Sequence, residues 1–275
     1  MGTVVPLAAP PRRVVSLVPS LTEAVALSAP GLLTAATDYC THPADLGVPR
    51  VGGTKYPLLP RVLAAEPDLV LANAEENRRE DVEALRAAGV PVWVTFPRTL
   101  DEALVSLARM LARLGVVDPP WLLEARAAWA RPPSTPLSPP SSADPSSAQL
   151  SALPRRALPR RAVVPVWRRP WVVLGPGTFA GDLLRRLGVT NMYDDAAERY
   201  PRPALADMLS RRPDLIVLPD EPYAFTADDG PEAFPGLPCA LVSGRHLTWY
   251  GPSLAQAPAL LAAQLAQPVP APSDE

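Results

Sequence analysis

Short apolar blocks and amphipathic stretches alternate along most of this chain. Residues 12–18, RRVVSLV, are apolar over too few positions for a helix and read as a buried strand. PSLTEAVALSAPG then predicts a helix closed by Pro30 and Gly31, and LLTAAT a second strand. A polar loop, DYCTHPADLGVPRVGGTKYPLL, precedes the helix PRVLAAE and the strand LVLAN. REDVEALRAAG places Val82, Leu85 and Ala88 three apart and ends on Gly89, a helix-stop signal. The strand VPVWVTF follows, and TLDEALVSLARMLARLG opens with Thr99 and Glu102 in capping-box spacing. DPPWLLEARAAWA reads as a further helix. After residue 160 the alternation resumes as AVVPVW, WVVLG, AGDLLRRLG, PALADMLSRR, LIVLP and ALVS, with a final helical run SLAQAPALLAAQL. Strands and helices in alternation predict parallel sheets flanked by helices.

One half-motif occurs twice. PDLVLANAEEN (67–77) and PDLIVLPDEPY (213–223) each run from a Pro-Asp turn through an apolar strand into acidic residues. In an open parallel sheet, ligands bind outside the carboxyl ends of the strands. The repeat therefore predicts two α/β lobes, each presenting polar groups at that end, with a binding cleft where they face each other. The boundaries expected are an N-terminal lobe at 12–117, a connecting helix at 118–131, a C-terminal lobe at 161–266 and a tail at 267–275. Residues 132–160 are rich in Pro, Ser and Ala without periodicity and read as a disordered insert.

Composition narrows the function. With 48% hydrophobic residues in 275, the chain is able to bury sizeable cores, and a net charge of −2 leaves no footprint for nucleic acid. Proline is frequent, at 38 residues. Two cysteines, Cys40 and Cys239, make no disulfide framework. MGTVVPLAAPPRR lacks the charge order of a secretory signal, Pro6 breaks the myristoylation pattern, and no run approaches a membrane span. These features predict a cytoplasmic monomer.

Catalytic signals are thin. GxSxG and HExxH are absent, and the only histidines are His42 and His246, so no catalytic residue and no enzyme activity is expected. Cys40 and His42 supply two ligands, short of the four of a structural zinc site, and no metal site is expected. His42 reads either as a hydrogen-bonding cleft residue or as a loop histidine. Ser20, with Thr22 and Glu23 in PSLTE, marks a helix start whose N–H groups would face the cleft. The Gly52–Gly53 turn precedes Lys55 and Tyr56. Glu76 and Asn77 in EENR read either as helix-start polar groups or as cleft contacts. Trp249 and Tyr250 sit beside a Gly-Pro turn, as core or as cleft lining.

The stretches RVVSLVPSLTEAV, TDYCTHPADL, VGGTKYP and PDLVLANAEENRREDVEALRAAGVPVWV resemble the cobalamin/iron-siderophore substrate-binding proteins of ABC importers, the cobalamin-binding branch most of all. GTFAGDLLRRLGVTNMY, YPRPALADMLSRRPDLIVL and LVSGRHLTWYGPSL continue the resemblance, which covers about 12–131 and 162–266. It implies two Rossmann-like lobes joined by a single helix, like a type III periplasmic binding protein, holding a corrinoid such as cobalamin against aromatic side chains. Tyr39 falls where the family places a corrin-contacting tyrosine. Tyr56 lies near a family tryptophan position, and Trp171 and Trp249 fall in stretches that supply aromatic contacts. The family's permease-docking glutamates correspond to Pro60 and Ala206, with Asp207 adjacent, which puts docking to an ABC permease in doubt. The alternatives are an iron-chelate or siderophore component of an importer and an enzyme that processes a metal macrocycle.

Overall fold

The computed structural model of the chain describes residues 5–7, 9–130 and 160–270. Of the insert expected at 132–160 only Arg160 falls among them, and of the tail expected at 267–275 the last five residues lie outside. The chain forms two compact units. One takes the chain up to Ala127 together with Trp249–Ala255; the other takes Ala128–Thr248 and everything from Gln256 onward.

In the first unit the elements are β1 (Val14–Ser16), α1 (Pro19–Ser28), β2 (Leu33–Ala36), α2 (Leu59–Ala64), β3 (Leu69–Asn73), α3 (Arg79–Ala87), β4 (Val92–Thr95) and α4 (Leu100–Arg113), and α5 (Pro120–Ala130) begins in it and ends in the second. The four strands are parallel in the order β2-β1-β3-β4, with Val14 opposite Leu69 and Asn73 opposite Thr95. Every residue of β1 and β3 is buried, which is why they read as continuous apolar runs instead of alternating ones. Helices cover the sheet, and Val15, Val51, Val62, Val70, Val82 and Leu85 close part of the core.

The second unit contains β5 (Arg160–Val163), β6 (Pro165–Trp167), β7 (Val172–Val173), α6 (Phe179–Arg186), β8 (Val189–Asn191), α7 (Leu205–Ser210), β9 (Leu215–Pro219), β10 (Pro238–Val242), α8 (Gly244–Thr248), α9 (Ala257–Ala266) and β11 (Val269–Pro270). Its main sheet has the order β11-β10-β9-β5-β8, parallel except for the β10–β11 pair. β6 and β7 form a separate antiparallel hairpin just beyond the end of β5.

Strand orders β2-β1-β3-β4 and β8-β5-β9-β10 are the same topology, and the repeat extends to details. Asp68 accepts hydrogen bonds from the backbone N–H groups of Arg12 and Arg13, and Asp214 from that of Arg161. The side chain of Arg13 caps the carbonyls of Ala65 and Glu66, and that of Arg161 caps Arg212. Glu66 and Arg212 both take positive φ, 45° and 51°. The duplicated Pro-Asp half-motif is thus a structural joint. It stops a short helix, turns the chain, and aims the next strand into the sheet.

Two features depart from expectation. α4 carries the predicted cap, Thr99 Oγ1 accepting from the Glu102 N–H at 3.2 Å. α1 does not: it begins at Pro19 after Val18, without a side-chain cap, and Ser20 lies inside its buried first turn. AVVPVW divides into β5 and β6, and β6 pairs with β7 of WVVLG as a hairpin outside the main sheet, while β8 and α8 were not expected as elements.

Candidate functional site

The carboxyl end of the first unit's sheet is built around Asn73, the last residue of β3, which is 2% exposed. Its N–H donates to Asn77 Oδ1 at 2.8 Å, and its Oδ1 accepts from the N–H groups of Glu75 at 2.7 Å and Glu76 at 3.2 Å. Asn77, also buried, donates through Nδ2 to the carbonyls of Leu17 and Thr54. Lys55 Nζ donates to the Glu75 carbonyl at 2.5 Å. The EEN segment is therefore a turn fixed by two asparagines, with half-buried Glu76 on its surface.

Tyr250 approaches this turn from the Trp249–Ala255 segment. Its hydroxyl lies 2.5 Å from Asn73 Nδ2 and 3.0 Å from Thr95 Oγ1, at the ends of β3 and β4. Burial, aided by the charge of Glu76, pushes its phenol well above the usual tyrosine range, so it acts as a neutral hydroxyl. Trp249, next to it, meets the His42 ring edge-on at 5.5 Å. Trp249 and Tyr250, expected with the second lobe from their place in the chain, thus pack with the first unit.

The loop after β2 is pinned from below. The Cys40 thiol is buried between the hydroxyls of Thr22 and Thr37, at 3.0 and 3.1 Å, and burial raises its pKa. Arg50 donates to the carbonyls of Thr37 and Cys40. On this fixed base Tyr39 stands 66% exposed, its ring beside Gly53. Tyr56 is 69% exposed, with the Arg78 guanidinium 4.7 Å from its ring centroid. Tyr39, Tyr56, Lys55, Glu76 and the His42–Trp249 pair are the predicted residues of this unit that reach the surface. Ser20 and Thr22 do not: they are 2% and 0% exposed, with Ser20 packed under Gly251.

In the second unit Trp171 is half-buried against the core, stacked on Phe225 at 6.2 Å and tilted on Phe234 at 5.5 Å. Arg168 covers its face and forms ion pairs with Asp229 and Glu232. The exposed indole here is Trp167, edge-on to Tyr223. Sequence reading passed over it because AVVPVW looked like one strand; the signal was Pro165, which begins a new one.

Pro60 and Ala206 are both exposed and occupy the second position of the equivalent helices α2 and α7. Asp207 is engaged by the Tyr193 hydroxyl at 2.6 Å and faces Arg211. Among the described residues no His, Cys, Asp or Glu group is arranged to hold a metal ion, and no helix is long and apolar enough to cross a membrane.

Two parallel α/β units of matching topology define the class, a two-lobed solute-binding-protein fold. The particular likeness is to vitamin B12-binding proteins. That of Vibrio parahaemolyticus is 33% identical over 95 residues, a match spanning 34% of this chain and 34% of that protein. That of Vibrio cholerae is 22% identical over 209 residues, 75% of this chain and 70% of that one. The crystal structure of periplasmic vitamin B12 binding protein BtuF of Vibrio cholerae superposes with a TM-score of 0.67 at 18% identity, covering 94% of this chain and 97% of that one. The periplasmic heme-binding protein RhuT from Roseiflexus sp. RS-1 gives 0.71 at 18%, covering 92% and 97%. No protein-family model matches the chain. These relatives bear out the resemblance to the cobalamin and iron-siderophore receptors, and all four are binding proteins by name. They also correct the expected cytoplasmic location. Both of these solved structures are of periplasmic proteins, and the residues before β1 carry no conclusion against that.

Proposed function

We propose that this protein is a non-catalytic receptor for a corrinoid, cobalamin or a near relative of it. The observation that carries the reading is a set of aromatic rings, exposed Tyr39 and Tyr56 and half-buried Trp249, standing on pinned loops at the carboxyl end of one sheet. A flat, mostly apolar macrocycle with amide edges matches such a surface, since rings supply area and the turn at Asn73–Asn77 supplies polar partners. The vitamin B12-binding relatives support the choice of ligand.

No chemical step is assigned. Ser243 Oγ and His246 Nδ1 do meet at 2.8 Å, but the two lie three positions apart at the start of α8, where the chain brings them together locally. Docking to a permease through glutamate ion pairs is not part of the proposal, because Pro60 and Ala206 carry no charge.

A second reading, an iron-bearing macrocycle, is favoured by one residue: His42 shares the surface with Trp249, and imidazole is a common axial ligand of haem iron. Spectral titration with cyanocobalamin, cobinamide and hemin separates the two. Saturable binding of the cobalt corrinoids is expected. Saturation by hemin with no response to either corrinoid would replace the first reading with the second.

A further inference from the structure

The segment Trp249–Ala255 packs with the first unit, although its neighbours Thr248 and Gln256 belong to the other. It is held closely. Tyr250 is 5% exposed, Ser253 1% and Leu254 0%. A Cβ on Gly251 would stand 2.8 Å from the Ser20 carbonyl oxygen, so only glycine allows this approach. Thr22, Cys40 and Thr37 form another buried polar chain, which leads outward in one direction only, through Thr37 Oγ1 to Thr54 Oγ1 at 3.4 Å.

Tyr250 differs because its partners lead outward in two directions. Through Asn73 its hydroxyl reaches the turn that sets Glu75, Glu76 and Asn77, and Asn77 in turn holds Thr54 beside Lys55. Along its own chain it fixes Trp249, which rests on His42. One buried hydroxyl thereby connects the polar turn with the aromatic pair. We propose that Tyr250 is a positioning residue, holding the Asn73–Asn77 turn and Trp249 in register as a single preformed ligand face. This rests on the receptor reading above. Its physical basis is preorganisation: a face already ordered before the ligand arrives avoids the ordering cost on binding.

Tyr250→Phe tests this, because it keeps the ring and removes the hydroxyl. Asn73 Nδ2 would then keep only its longer contact to Thr95, at 3.4 Å. Two measurements are made on the full chain: amide hydrogen exchange of segments 73–77 and 249–255 without ligand, and affinity for cyanocobalamin. Val62→Ala, a core change in α2 at a residue outside this hydrogen-bond network, serves as the comparison for general destabilisation. Tyr250→Phe is expected to speed exchange selectively in both segments and to weaken cyanocobalamin by about three- to tenfold, the range of one hydrogen bond. Val62→Ala is expected to lower the melting temperature without either effect. Unchanged exchange in Tyr250→Phe overturns the proposal, whatever the affinity does. So does an equal affinity loss in Val62→Ala at comparable melting temperature. If the unaltered protein binds no corrinoid, the receptor reading fails, and the exchange measurement alone decides the role of Tyr250.

Discussion

The aromatic residues marked out by the sequence have distinct surroundings, and their surroundings set what each will do when removed. Tyr39 is largely in solvent and contributes little to the core, so Tyr39→Ala is expected to leave the melting temperature nearly unchanged. It should weaken cyanocobalamin by about tenfold, equivalent to 1.4 kcal/mol. Trp171 is the reverse case, because its ring stacks on Phe225 and packs at a tilt on Phe234. Trp171→Ala is expected to cost about 3 kcal/mol of stability, as for truncated core aromatics. Thermal unfolding and titration on the same two variants check both; a stable Trp171→Ala protein with selectively weakened binding would return Trp171 to the ligand face. Asp214 adds a pH dependence. The Arg161 backbone N–H, and then its side chain, hold the Asp214 carboxyl below the usual range. A depressed folded-state pKa stabilises above the ordinary aspartate value of about 3.9 and loses that contribution as the pH falls through the lower one. Asp214→Asn should therefore be less stable than the parent near neutral pH, and the difference should vanish in acid. A gap that persists undiminished at low pH would assign the effect to something other than charge.

Among the elements, legibility followed local physics. β1, β3 and β9 were readable because every residue in them is buried, which writes an unbroken apolar run into the sequence. α4 was readable because its cap is local, and Thr99→Ala is expected to cost about 1 kcal/mol, measured by denaturant unfolding. An unchanged midpoint would mean that the Arg98 N–H bond to Glu102 holds the helix start alone. The start of α1 misled because Ser20 and Glu23 have the spacing of a capping box, while Pro19 and Val18 already begin the helix and burial takes the serine inside. The proposed ligand face was legible in its parts and not in its assembly. The EEN turn announces itself by its place after a strand, and Tyr39 and Tyr56 were marked by the family resemblance. That Tyr250 bonds to Asn73, 177 positions earlier, follows only from packing that no local pattern encodes.

For the whole molecule, the repeat of strand order suggests two autonomous halves, and the Trp249–Ala255 segment contradicts that simplicity. The first unit is completed by residues that lie more than a hundred positions beyond Ala127. A fragment of residues 12–127 would lose the buried side chains of Tyr250 and Leu254 and leave Asn73 and Thr95 without the tyrosine hydroxyl. Full burial of a large apolar side chain contributes about 1.5–3 kcal/mol, so the two together amount to about 3–6 kcal/mol. The whole stability of an ordinary domain is only about 5–15 kcal/mol. The fragment is therefore expected to unfold at much lower denaturant concentration than the intact protein, or without cooperativity. Joining residues 249–255 to its end through a flexible Gly/Ser linker should recover much of the loss, since the linker turns docking into an intramolecular step. Near-ultraviolet circular dichroism and urea titration of the two fragments provide the comparison. If residues 12–127 alone unfold cooperatively at the same midpoint as the linked form, the segment is a passenger on a complete unit, and its buried contacts contribute nothing to holding that unit together.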